Sequence, residues 1–541
     1  MIKKTSLLLF IVFASLIISN SVALAQTTLD YRTLNSQATQ EYLQPVHPGL
    51  TGIRPFWNMY STGFMYAPAF GFKSVKGAVK YQFIVDDKQT FFADSPNVAL
   101  SSIWNQLLYG EHVLKVMAID KKNRTIGLAG ERKFMKRSGF CGPYHAAVRS
   151  YREAALKALV GIYNSQFAQY FIDHKEPWKN QDYKTNPDAI WYNGSYLDKI
   201  TGSTVSAMAI LAKVLPEYKV TAIKIARNAA DLLIRESRPE GTPLAYFPPT
   251  YYGDQQAAGN PDNKNKCMMM EPTTAGLAFL DLFDVTNDSL YLKHAMGIAD
   301  TYVRVQNSDG SYPVKVDYIT GKPVNNAKVG VMELVRLYVR LHDQYQIMKY
   351  DDSCQKALRW MRENRLKNFN WTGQFEDVSV NVSEYENLTA WPATPYASYL
   401  LTKKDADKQD VLDAKEIIRF AEDQFTIWSM PMPENEVSRY GTPCVMEQYN
   451  FFMPVDDSTA QMAEAFIDYY SKTGDQLSLA KGLSLLNNLT IWQRADNGII
   501  PSVWFYNRDI NELWINDMVL DIQILLRVDK YLSENLPHLV Y

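Results

Sequence analysis

The sequence predicts a mainly α-helical protein. An (α/α)6 toroid of six helical hairpins is expected over residues 141–541, with a small immunoglobulin- or fibronectin-like β-sandwich over 26–140 and a signal peptide over 1–25. Three observations predict this. Helical periodicity can be followed through about twelve segments after His145. Ala278-Phe-Leu-Asp-Leu-Phe-Asp-Val-Thr-Asn-Asp resembles Ala465-Phe-Ile-Asp-Tyr-Tyr-Ser-Lys-Thr-Gly-Asp at an offset of 187 residues, room for three hairpins. The connections also sort into short polar ones and long aromatic ones, which antiparallel neighbours place at opposite ends of a ring.

The N-terminus reads as a secretory signal. Lys3 and Lys4 precede an apolar run from Leu7 to Ile18, and Ala23-Leu24-Ala25 is a cleavage pattern before Gln26. The run is too short to span a bilayer. Export to a periplasm is the expectation. Next, Tyr81-Gln-Phe-Ile-Val and His112-Val-Leu-Lys-Val-Met-Ala-Ile are short β-branched or aromatic runs punctuated by Gly, Pro, Asp and Asn, which fit a sandwich. Arg54-Pro-Phe-Trp-Asn-Met-Tyr and Phe64-Met-Tyr-Ala-Pro-Ala-Phe are read as surfaces that pack on a neighbouring unit. Helices are expected to start near Ala146, Gly202, Lys219, Pro272, Asp288, Ala327, Asp351, Thr394, Gln409, Asp457, Asp475 and Asn516. The long connections then cover 173–201, 238–271, 307–327, 368–393, 429–456 and 494–516. All six fall at one end of the ring, where long loops on a rigid scaffold carry sites.

Composition narrows the function. A net charge of −2 and no basic tract leave nothing to draw nucleic acid or an anionic membrane. Four dispersed Cys without a C-x-x-C pair argue against a zinc site or a disulfide framework, so free and mostly buried thiols are expected. No P-loop, G-x-G-x-x-G, G-x-S-x-G or H-E-x-x-H is present, and no metal or cofactor is predicted. The 34 Tyr and 11 Trp are mostly core, but those in the long loops suit stacking on sugar faces.

The stretch Tyr440–Tyr470 is the densest candidate. Glu447 lies between Met446 and Gln448-Tyr449, where an apolar setting can raise a carboxyl pKa for general acid work. Catalytic candidates are Glu447, Tyr449, Tyr252, His174 and Asp457. Substrate-binding candidates are Arg439, Trp191, Trp391, Trp504, Tyr251 and Asp309. Simpler readings compete: Asp457 and Glu271 precede helices as caps, and Asp309 and Asp496 make turns. Helix capping explains Asp457 well and lowers its rank below Glu447.

Arg54-Pro-Phe-Trp-Asn, Phe64-Met-Tyr-Ala-Pro-Ala-Phe, Glu447-Gln-Tyr and the Gln-x-x-Asp-Gly-like turns carry a resemblance over nearly all of the mature chain. The helical part resembles the six-hairpin glycosidase superfamily, which includes unsaturated glucuronyl hydrolases and uronate-acting lyases and epimerases. The whole is similar to proteins of Bacteroidetes polysaccharide-utilisation systems. A narrower resemblance is to oligosaccharide dehydratases of ulvan-degrading bacteria, which act on a terminal uronic acid; no catalytic residue is carried over from it. The resemblance implies an acidic oligosaccharide substrate. Elimination of water to a 4,5-unsaturated uronate is the first expectation, with Tyr251, Tyr252, Tyr449, His174, Arg439 and Glu447 to supply its parts. Hydrolysis by two carboxylates is the second, with Glu447 paired to Asp457 or Glu386. A polysaccharide lyase, using the same machinery to expel a sugar, and a non-catalytic glycan-binding protein complete the alternatives.

Overall fold

The computed structural model describes residues 28–176, 196–251, 263–373, 382–429, 441–504 and 514–539. After helix α1 (Tyr31–Glu41), capped by Asp30, come strands β1 (Gly63–Phe64), β2 (Lys80–Val85), β3 (Gln89–Ala93), β4 (Gly110–Ile119) and β5 (Thr125–Lys136). They form one sheet in the order β1-β5-β4-β2-β3. It is antiparallel except where β1 meets β5. Tyr81, Phe83 and Val85 alternate inward on β2, as do Leu114, Val116 and Ala118 on β4. This corrects the expected β-sandwich: among the described residues no second sheet covers that face. The reason lies in residues 42–79, which are aromatic but contribute only β1. They wrap onto the helices instead. Trp57 stacks on Phe420 at 6.4 Å, and Tyr42 and Tyr66 donate their hydroxyls to Glu422.

Twelve further helices build the ring. They are α2 (Tyr151–Asn164), α3 (Leu197–Val214), α4 (Lys219–Glu236), α5 (Pro272–Thr286), α6 (Ser289–Val305) and α7 (Met332–Tyr345), then α8 (Asp351–Trp360), α9 (Ala393–Thr402), α10 (Lys408–Phe425), α11 (Asp456–Thr473), α12 (Gln476–Trp492) and α13 (Ile515–Asn535). The inner helices pack in the order α3-α5-α7 and α9-α11-α13, and α13 returns onto α3 to close the ring. Each inner helix carries an outer one: α4 on α3, α6 on α5, α8 on α7, α10 on α9 and α12 on α11. The last inner helix, α13, is backed by the first outer one, α2. The two repeated sequences are α5 and α11, three hairpins apart.

Packing follows the side-chain period. On α7, Leu334, Leu337, Tyr338 and Leu341 recur at i, i+3, i+4 and i+7, and all are buried. Burying each such side chain stabilises by about 1.5–3 kcal/mol. Gly202 lets α3 approach α5 closely, since a Cβ there would lie 3.2 Å from the Ala275 nitrogen. Gly474 ends α11 in the left-handed conformation that glycine tolerates best.

Three helix starts differ from expectation by five residues. α2 begins at Tyr151, behind its Ser150 cap, and not at Ala146. α3 begins at Leu197, five residues before Gly202. α7 begins at Met332, five after Ala327, because Lys328–Val329 pairs with Tyr312–Pro313 as a short ladder. Every long connection enters the N-terminal end of an inner helix, so these six ends share one face of the ring.

Candidate active site

A cavity of about 180 Å3 opens among the N-terminal ends of the inner helices. Five carboxylates line it: Glu271 before α5, Glu333 on α7, Glu447 in the connection before α11, Asp457 on α11 and Asp517 on α13. Its cations are Lys199 on α3 and Arg336 on α7, and its aromatic walls are Trp391 and Trp514. Arg336 and Gln523 sit deeper, on α7 and α13, which stand opposite each other in the ring. Arg336 Nη2 donates to Gln523 Oε1 at 3.3 Å, bridging the bore, so the site has the shape of a pocket.

The backbone fixes each carboxylate. Glu447 is held on both sides: its nitrogen donates to Met453 O at 3.2 Å, and its carbonyl accepts from Ala390 N at 3.0 Å. The Asp456 nitrogen donates to Ser502 O at 3.1 Å, while Ser502 Oγ accepts from Trp514 N at 2.8 Å. One serine thereby locks the starts of α11 and α13 together. Trp391 donates its indole N–H to Glu333 Oε1 at 2.8 Å, joining the segment before α9 to α7. Glu333 Oε2 has no hydrogen-bond partner among the described residues. Lys199 Nζ lies 3.5 Å from Glu271 Oε1.

Burial dominates the electrostatics. It pushes the Glu333 carboxyl above the usual glutamate range, against the Trp391 hydrogen bond that favours the charged form. Asp457 is also raised by burial, opposed by the Lys199 charge. Asp517 is raised well above its ordinary value by burial and then by the charges of Asp457 and Asp456. Behind it, Asp456 and Asp521 are raised by burial and by their acidic neighbours.

The structure brings three expected residues to this cavity: Glu447, Asp457 and Trp391. The capping reading of Asp457 and Glu271 is corrected. Neither helix has a side-chain cap hydrogen bond at its start, and both carboxylates face the cavity. Asp457 instead accepts from Ser458 Oγ at 3.3 Å and Gln461 Nε2 at 3.1 Å.

Other expected residues lie elsewhere. Tyr449 turns its hydroxyl to Ser61 and Gln424, because its ring packs against Phe425. His174 stacks on Tyr170 at 3.8 Å and contacts its carbonyl, away from the pocket. Trp504 is fully buried, stacked on Trp492 at 5.7 Å, and donates to Pro501 O. Tyr251 is buried beside Tyr196. Asp309 holds its turn through Ser311 and pairs with Lys328 at 2.6 Å, as the turn reading expects. Glu386 accepts from Ser383 N at 2.8 Å within its own loop. Tyr252, Trp191 and Arg439 lie outside the described residues. Among the described residues all four Cys are free, and only Cys141 is exposed.

Sequence reasoning missed Lys199, Glu333, Asp517 and Asp521. All sit within the first turns of inner helices, where a polar residue reads as helix surface until the ring turns that face inward. On α7 Arg336 and Arg340 share the face of Glu333, so the helical period alone does not single it out.

No family model matches the sequence, and no curated protein matches it significantly. Solved structures do. Cellobiose 2-epimerase from Spirochaeta thermophila DSM 6192 is 10% identical, over 71% of this chain and 98% of that one, with a TM-score of 0.51. A D-mannose isomerase is 14% identical, over 70% and 97%, with a TM-score of 0.50. An unsaturated glucuronyl hydrolase specific for heparin is 12% identical, over 70% and 97%, with a TM-score of 0.47. The first two carry the fold: the helical part is a six-hairpin toroid of the kind found in carbohydrate-active enzymes.

Proposed function

We propose that the protein is a carbohydrate-processing enzyme that cleaves a carbon–oxygen bond at the terminal sugar of an oligosaccharide, with Glu333 as general acid and Glu447 as its carboxylate partner. One observation carries the reading. Glu333 is a carboxyl pushed towards its neutral form by burial, anchored through Oε1 by Trp391, in the lining of the pocket. Such a group can hand a proton to a departing oxygen near neutral pH. A pocket narrowed by the Arg336–Gln523 bridge admits a chain end more readily than the middle of a polymer. The ring is shared with an epimerase and an isomerase of sugars.

Hydrolysis suits the surplus of carboxylates best. Glu333 protonates the glycosidic oxygen, water attacks the anomeric carbon, and Glu447 takes the proton from that water. A second reading rests on Lys199 and Arg336. These cations can hold the carboxylate of a terminal uronic acid in an acidic, ulvan-like oligosaccharide. A base then removes the proton beside that carboxylate, and Glu333 protonates the 4-hydroxyl as it leaves as water, giving a 4,5-unsaturated uronate.

Incubating the protein with neutral and uronic-acid oligosaccharides, followed by absorbance near 235 nm and by mass, separates these readings. Release of a terminal sugar without new absorbance supports hydrolysis. New absorbance with loss of one water supports dehydration, and new absorbance with chain cleavage supports a lyase. Loss of an existing chromophore supports an unsaturated glycuronyl hydrolase. No turnover on any substrate sinks the enzymatic reading and leaves glycan binding.

Export is part of the same proposal. Lys3, Lys4, the apolar run and Ala23-Leu24-Ala25 support it, and an N-terminus at Gln26 on periplasmic protein is the expected result. No helix among the described residues is long and apolar enough to cross a membrane.

A further inference from the structure

The N-terminal sheet ends differently on its two sides. Beyond β1 it is closed by α10. Asp423 Oδ1 accepts from Met65 N at 2.6 Å and Tyr66 N at 2.8 Å, and Gly63 O accepts from Gln424 Nε2 at 3.4 Å. Beyond β3 no strand follows. Among the described residues β3 pairs with β2 alone, residue for residue from Gln89 to Ala93. The other edge of β3 therefore leaves backbone donors and acceptors without a ladder.

Natural edge strands guard against pairing with another chain by a charge, a Pro or a bulge. β3 has none of these. It reads Gln-Thr-Phe-Phe-Ala, and its ladder to β2 shows no register shift. Thr90 is exposed, and Phe92 is 56% exposed. Phe91 is half-buried and stacks on Phe83 at 4.6 Å. Charges stand only outside the strand, Lys88 before it and Asp94 after it. Both are exposed, and neither forms an ion pair among the described residues.

This edge is complementary to itself. An antiparallel two-fold pairing centred on Phe91 sets Phe91 against Phe91 of a second copy. Thr90 then meets the second copy's Phe92, and Lys88 meets its Asp94; symmetry makes both pairs twice. Aromatic rings oppose β-branched side chains, and opposite charges close each end. The neighbouring registers lose this match. Centring on Thr90 opposes Asp86 to Asp94, and centring on Phe92 opposes Lys88 to Pro96.

We propose that β3 is a self-association edge. Two copies of this chain join through it into one continuous sheet, in the register that sets Lys88 of each copy against Asp94 of the other. Such a contact is isologous and closes at a dimer. A strand of five residues makes a small interface, so the dimer forms reversibly. The pairing does not depend on which reaction takes place in the pocket.

The test is sedimentation velocity on the purified protein from low to high micromolar concentration, kept reduced so that the exposed Cys141 cannot cross-link it. The expected result is a reversible monomer–dimer equilibrium. Lys88→Glu and Asp94→Lys each oppose like charges, and each should raise the dissociation constant by about tenfold. The double variant Lys88→Glu/Asp94→Lys restores the pair with its signs exchanged and should return to within about threefold of the parent. Phe92→Lys puts a charge on the edge and should abolish the dimer. All three side chains are exposed, so melting curves should not change. A protein that stays monomeric at every concentration overturns the proposal. So does a dimer that these variants leave intact, which places the interface elsewhere. Single variants that weaken the dimer without rescue in the double variant overturn the register.

Discussion

Two regions of this protein bury carboxylates densely, and they treat them in opposite ways. At the junction of the N-terminal segment with α10 and α12, Glu422 is 1% exposed and fully supplied with donors. Lys481 reaches it at 2.8 Å, Tyr66 at 2.7 Å, and Tyr42 and Trp428 at 2.9 Å each. Lys481 also pairs with Glu41 at 3.2 Å, and Arg419 pairs with Glu416 at 3.0 Å. Burial works against the charge on Glu41, but Lys481 and its neighbours outweigh it and hold that carboxyl below its usual range. At the pocket, Glu333, Asp456, Asp517 and Asp521 are raised instead: burial outweighs the Trp391 bond and the nearby cations at Glu333, and at the three aspartates it is joined by the charge of acidic neighbours. The lesson is that burial does not mark a functional carboxylate; burial without donors does.

The largest expected effect tests the pocket side. Glu333→Gln should lower turnover by about 10^2–10^4-fold, the range of general acid catalysis, with an unchanged melting curve. Near wild-type turnover would reduce Glu333 to a prop for Trp391. The converse change belongs to the junction. Lys481→Met leaves Glu422 and Glu41 buried beside a lost cation and should cost on the order of 3–5 kcal/mol in urea unfolding. A loss under about 1 kcal/mol would mean that the tyrosine hydroxyls alone satisfy Glu422.

Asp423 refines the contrast, being a junction carboxylate with an intermediate environment. It accepts from Met65 N at 2.6 Å and Tyr66 N at 2.8 Å, yet burial outweighs these bonds and the Arg137 charge and lifts it to about 6. Its folded value lies above that of the unfolded chain. Its contribution is therefore fully present below about pH 4 and lost as pH rises through about 6, a difference on the order of 3 kcal/mol. Asp423→Asn should flatten that part of the stability profile; an unchanged slope between pH 4 and 7 would assign it to other groups. The smallest effect is expected at Trp391→Phe. Loss of the indole donor removes a bond that favours charged Glu333. The alkaline limb of the activity profile should move to higher pH, and turnover should fall by about tenfold. A limb that stays in place would separate Trp391 from the acid.

The ring was legible because its signal is periodic. Segments such as Met332–Tyr345 repeat apolar residues at helical spacing, and α5 and α11 are visibly related. The loops sorted by length because antiparallel hairpins force them to. The sandwich was misread because alternation identifies strands but not how many sheets they make; within residues 42–79, Tyr42, Trp57 and Tyr66 turn to α10. Glu447 could be found from its apolar neighbours, and Trp391 from its place in a long loop. Glu333 and Asp521 could not be ranked, since one helix period looks the same whether its polar face meets solvent or the centre of a ring. Tyr449 and Trp504 misled for the converse reason: an aromatic in a long loop is as ready to pack as to bind sugar.

The backing of α13 by α2 has a further implication for how the molecule is made. These two helices form one hairpin, but its halves are the first and last of the ring to leave the ribosome. Until Ile515–Asn535 has been synthesised, α2 and α3 lack the surface that covers their apolar residues, and the circle stays an open arc. Closure is then a single late event, coupling both ends of the domain into one cooperative step.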